Sequence, residues 1–89
     1  MTEQECKAVV EMENNHLEWI YNETLKKCFG EPLPEKCTLS DWFKFNQLWE
    51  ESGAYADAAA VQVHLREAGF DVKMSMTDKY KLVYKGYIV

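Results

Sequence analysis

The sequence predicts a small α+β domain: three helices, or four if the first is broken, followed by a C-terminal antiparallel β-hairpin. Three observations carry this reading. Up to residue 68, apart from residues 30–38, the chain is built mostly of good helix formers and of apolar stripes at helical spacing. From Phe70 onward apolar and polar residues alternate at period two, the pattern of half-buried strands. Glycines punctuate the segments, with Gly30, Gly53 and Gly69 each standing just past a helical run. The 89 residues suit a single domain over residues 1–89. Hydrophobic residues make up 47% and charged residues 28%, which excludes a disordered chain or a disulfide scaffold.

The first helix is expected over residues 2–29. Taken straight it would span about 40 Å. A compact domain of this size should have a radius of gyration of about 12 Å. Either the helix overhangs and pairs with a second copy, or it breaks. Asn15 followed by Glu18 fits an N-cap with an acid three positions on, so a break or kink at residues 14–15 is expected. Residues 30–38 hold both prolines, Pro32 and Pro34, and read as loop, with room for a short extended piece at Lys36 and Cys37.

The second helix is expected over residues 39–52. Thr38 is a good N-cap, and Asp41 three positions later faces the positive end of the helix dipole. The third covers residues 54–68, with Ala54, Ala58, Val61, Leu65 and Ala68 on one stripe. Gly69 suits a left-handed cap, with Leu65 and Phe70 placed for the accompanying apolar contact.

The hairpin occupies residues 70–89. A three-residue loop of Thr77, Asp78 and Lys79 sets Met76 against Tyr80, Met74 against Leu82, Val72 against Tyr84 and Phe70 against Gly86. The other face then pairs Asp71 with Lys85, Lys73 with Val83 and Ser75 with Lys81. One face is apolar and lies on the third helix, and the lysine face meets solvent. Such a loop needs positive φ at its last residue, and Lys79 is a strained choice.

From about Asn15 to the end, this order of helices and hairpin resembles that of a winged-helix domain. The resemblance is one of topology and rests on no residue motif. It implies a nucleic-acid-binding alternative in which the hairpin is the wing. The hairpin carries Lys73, Lys79, Lys81 and Lys85 against Asp71 and Asp78, a local balance of +2. Lysines also protect open strand edges from aggregation, the commoner use. The third helix would have to read the groove, yet it opens on alanines and Asp57 and has no basic side chain before His64 and Arg66.

Fifteen acidic and ten basic residues give a net charge of −5, which opposes coating of nucleic acid or anionic membrane by bulk charge. The start of the chain has no basic cluster and no apolar core of a signal peptide, and no apolar run reaches membrane-span length. A cytoplasmic protein is expected. Three cysteines, Cys6, Cys28 and Cys37, fit reduced thiols better than a disulfide framework. With His16 and His64 they match no zinc-ligand spacing, so no metal or cofactor is expected. His64 and Asp57 share a helix face but lie two turns apart, about 10 Å, too far to act together. The acids Glu11, Glu18, Glu50 and Glu51 read as solvated faces. No assembled catalytic constellation is expected, and the chain is read as non-enzymatic.

The second helix is the anomaly. Leu39, Trp42, Phe43, Phe45 and Trp49 cover an arc of about 160°, and Leu48 lies about 60° beyond it. Most of this arc fills the core. It is wide for one core face, so an edge around Phe45, Leu48 and Trp49, with Trp42 beside it, is expected to stay partly exposed and bind a protein partner. Small acidic domains of this kind are common among phage and mobile-element products that block a host factor. By that association an inhibitor or adaptor, monomeric or homodimeric, is the expected role.

Overall fold

The computed structural model describes residues 1–30 and 37–89. Three helices, α1 (Glu3–Phe29), α2 (Leu39–Glu51) and α3 (Ala54–Glu67), precede strands β1 (Phe70–Met74) and β2 (Leu82–Tyr87), which form one antiparallel sheet. The α+β class and the order of elements are as the sequence predicts. The extra strand of a winged-helix order would fall in residues 30–38, and residues 31–36 lie outside the described residues. No helix among the described residues is long and apolar enough to cross a membrane.

α1 is one unbroken helix of 27 residues, which corrects the expected break at residues 14–15. Its start is fixed by a capping box: Thr2 Oγ1 accepts from the Glu5 N–H, and the Thr2 N–H donates to Glu5 Oε1. Gly30, at φ +81°, ends it. Asn15, the expected cap, is an exposed residue inside the helix, and its neighbour Asn14 ties the helix to the hairpin through both ends of its amide. Asn14 Oδ1 accepts from the Leu82 N–H at 2.7 Å, and Nδ2 donates to the Leu82 carbonyl at 2.9 Å. Cys6, Val10, Glu13, Leu17 and Thr24 form one inward stripe that stays in phase through the Asn pair, and a break would lose that phase.

The length problem is resolved by shape. The molecule measures 45 × 19 × 17 Å with a radius of gyration of 15.2 Å, above the compact expectation of about 12 Å. The other elements are strung along α1 as on a spine. Tyr21 and Phe29, in its C-terminal half, pack on α2. Near its middle, Asn14 meets β2 and His16 meets α3. Buried Cys6, Val10, Leu17, Ala54, Ala58, Leu65, Phe70, Val72 and Leu82 belong to the same core as Phe45 and Trp49.

The register places Val72 opposite Tyr84, Lys73 opposite Val83 and Met74 opposite Leu82, as predicted. Phe70, Val72 and Leu82 are buried while Lys73 and Val83 face solvent. Both ends of the hairpin depart from the expectation. At the open end Phe70 pairs with Tyr87 rather than Gly86, so Asp71 and Lys85 are not partners. The extra residue is absorbed at a bulge beside Gly86, whose φ of +108° a side chain would strain. At the closed end residues 76–80 form the loop. Ser75 N–H donates to the Lys81 carbonyl, and Lys81 N–H to the Asp78 carbonyl. Met76 is therefore exposed rather than set against Tyr80. Lys79 has the positive φ predicted for it (+56°), and Tyr80 shares it (+61°). Such backbone costs about 1 kcal/mol or more per residue. Ring contacts offset it: Tyr80 stacks on Trp49 at 5.4 Å and meets Tyr55 edge-on, and Lys79 Nζ sits 4.8 Å above the Tyr21 ring.

Candidate functional site

The site begins at a helix start. Thr38 Oγ1 accepts from the Asp41 N–H at 3.1 Å, and the Thr38 N–H donates to Asp41 Oδ2 at 3.0 Å. These backbone and side-chain hydrogen bonds with Thr38 hold the Asp41 carboxyl below its usual range. The box fixes the phase of the first turn, and the phase decides which aromatics turn inward.

Phe45 and Trp49 turn inward and are buried, which corrects the expectation that they form an exposed edge. The cause is the straight α1. It delivers Tyr21 edge-on to both rings, at 5.2 Å from Phe45 and 5.4 Å from Trp49. The hairpin loop then sends Tyr80 over Trp49. Leu48 is half-buried. Of the predicted residues, Trp42 remains at the surface, 45% exposed. It is joined by Leu39 at 72% and Phe43 at 67%. The candidate surface thus lies about a turn nearer the helix start than the sequence predicts. Trp42 is pinned from below by Phe29 at 4.9 Å and Phe45 at 5.6 Å, so its ring is oriented before any partner arrives.

The hairpin lysines are not assembled into a patch. Lys81 lies 3.5 Å from Glu18, Lys73 lies 3.3 Å from Asp71, and Lys79 covers Tyr21. Lys85 is exposed.

A second cluster was not predicted. Glu13 on α1 is only 9% exposed, and its Oε1 has no hydrogen-bond partner among the described residues. Its carboxyl faces that of Asp57, in the first turn of α3. Burial, then the hydrogen bond and the charge of Asp57, push Glu13 up to about 7. His16 Nε2 lies 3.3 Å from Asp57 Oδ2. The sequence offered Asp57 only His64 on its own helix, two turns away and too far to act with it. The true neighbour comes from another helix and left no sequence signal beyond an acid at an inward position of α1. The cluster can hold a proton between two carboxyls, but Glu13 is sealed from substrate.

Burial also pushes the Cys6 and Cys28 thiols up, so both are poor nucleophiles near neutrality. No group of three or more His, Cys, Asp or Glu among the described residues could hold a metal ion. No family model, curated protein or solved structure matches the chain.

Proposed function

We propose that the chain is a non-enzymatic protein-binding module, an inhibitor or adaptor of the cytoplasm, that grips its partner through Leu39, Trp42 and Phe43. The observation that carries this reading is three large apolar side chains exposed on one capped helical turn. Tryptophan is enriched at binding hot spots. A ring already held by Phe29 and Phe45 loses little freedom on binding. The net charge of −5 favours a partner with a basic rim around an apolar pocket. The nucleic-acid alternative is weakened by the internal engagement of Lys73, Lys79 and Lys81.

The test compares partner capture from host lysate by the wild-type chain and by Leu39→Ser/Phe43→Ser. Both side chains are exposed, so melting should be unchanged while capture falls at least tenfold. Equal capture by the two proteins would refute the surface. A submicromolar, steeply salt-dependent gel shift with duplex DNA would favour the winged-helix reading instead.

A further inference from the structure

α1 has a second regular line of side chains. Glu5, Met12, Trp19 and Lys26 recur every seven residues on the side away from the buried stripe, and all four are exposed. Met12 is 71% and Trp19 60% exposed, and His16 stacks beside the Trp19 ring. A seven-residue spacing drifts by only about 20° per step, so the line runs nearly straight for about 30 Å. The core of α2, α3 and the hairpin packs on the buried stripe, and α3 reaches the edge of this line only where Asp57 meets His16.

We propose that this line is a homodimer interface, with a second copy of the chain docking its α1 antiparallel to the first. The charge pattern selects both the occupant and its direction. An antiparallel copy centred between Asn15 and His16 sets Met12 against the partner's Trp19, and does so twice by symmetry. The same register sets Glu5 against the partner's Lys26, again twice. Ala8 falls opposite the partner's Glu23, and the polar Asn15 and His16 meet at the two-fold axis, so no like charges oppose. A parallel copy would set Glu5 against Glu5 and Lys26 against Lys26, which repel. The seven-residue repeat is also the spacing that keeps two helices in contact along their length. Both charges have partners within their own chain, Glu5 in the exposed capping box with Thr2 and Lys26 with Glu23 at 3.5 Å, and the contacts to the partner copy add to these. The surface is independent of Leu39, Trp42 and Phe43, and either can fail without the other.

Sedimentation equilibrium tests it. The wild-type chain should pass from 10.4 kDa toward twice that mass as concentration rises through the micromolar range, as a small interface predicts. Trp19→Lys should remain monomeric with an unchanged circular dichroism spectrum. The decisive arm is mixing. Glu5→Lys alone opposes lysines, and Lys26→Glu alone opposes glutamates, so each should be monomeric. Mixed one to one, they should dimerise at least tenfold more tightly than either alone. A wild-type chain that stays monomeric to millimolar concentration overturns the proposal. So does a dimer untouched by Trp19→Lys, or a mixture that associates no better than its components.

Discussion

Replacing Glu13 with Gln should flatten the pH dependence of stability between about pH 5 and pH 8. Two carboxylates facing each other under cover cannot hydrogen-bond without a proton between them. Glu13 therefore holds a proton up to about pH 7 in the folded chain, against an ordinary value of 4.5. Between those values the native state binds more protons than the unfolded state, so stability falls as pH rises. The contribution is fully present below pH 4.5 and is lost as pH passes 7. At about 1.4 kcal/mol per tenfold change in proton affinity, the full difference is about 3 kcal/mol. Asp57 is 44% exposed, and solvent around it screens the pair to about half that, ~1.5 kcal/mol. For a domain of this size, that is a fall in Tm of about 6–12 °C from pH 5 to pH 8. Glutamine keeps the shape and donates to Asp57 at every pH. The titratable side chains that meet the pair are Asp57 on α3 and His16 on α1. They are common to both proteins, so the difference between wild type and Glu13→Gln reads the proton shared by Glu13 and Asp57. Thermal melts at each pH read it. Parallel slopes in the two proteins would show that Glu13 titrates as an ordinary carboxyl and that the reasoning is wrong.

Two further outcomes follow from the packing. Trp49→Ala should cost about 3–5 kcal/mol in denaturant melts, because it removes a buried ring held by Tyr21 and Tyr80; a cost below about 1 kcal/mol would return Trp49 to the surface. Asn14→Ala should cost about 2–3 kcal/mol, since it leaves both polar groups of Leu82 without their part-buried partners; an unchanged melt would mean that water replaces the amide.

The sequence was most readable where local chemistry decides the outcome. Thr38 with Asp41, the glycine stops and the central hairpin pairs each follow from a few neighbouring residues, and each is found. It was least readable where a distant residue decides. Asn14 looks like part of a helix break until its amide is seen to hold Leu82, 68 positions away. Phe45 and Trp49 look like the surplus of an arc too wide for one core face, and become core because Tyr21 of α1 and Tyr80 of the hairpin loop pack on them. The pairing of Glu13 and Asp57 needs the crossing of two helices that no periodicity specifies.

That same helix decides what the hairpin is. A two-stranded sheet has two open edges and is marginal alone in water. In antiparallel pairing alternate residues turn their backbone groups outward. Leu82 offers its outward pair to Asn14, and the Val72 carbonyl accepts from Gln62 Nε2 at 2.9 Å. One edge is therefore engaged by α1 and the other by α3, each through a side-chain amide that imitates part of a neighbouring strand. The loop is tied as well, with Tyr80 on Trp49 and Lys79 on Tyr21, in a backbone that neither residue prefers. A wing that probes a groove must project from its domain. This hairpin is fastened to the body at both edges and at its tip, and its strained tip is the cost of closing the aromatic end of the core. The two surfaces proposed above for recognition are instead helical, the first turn of α2 and the outer line of α1.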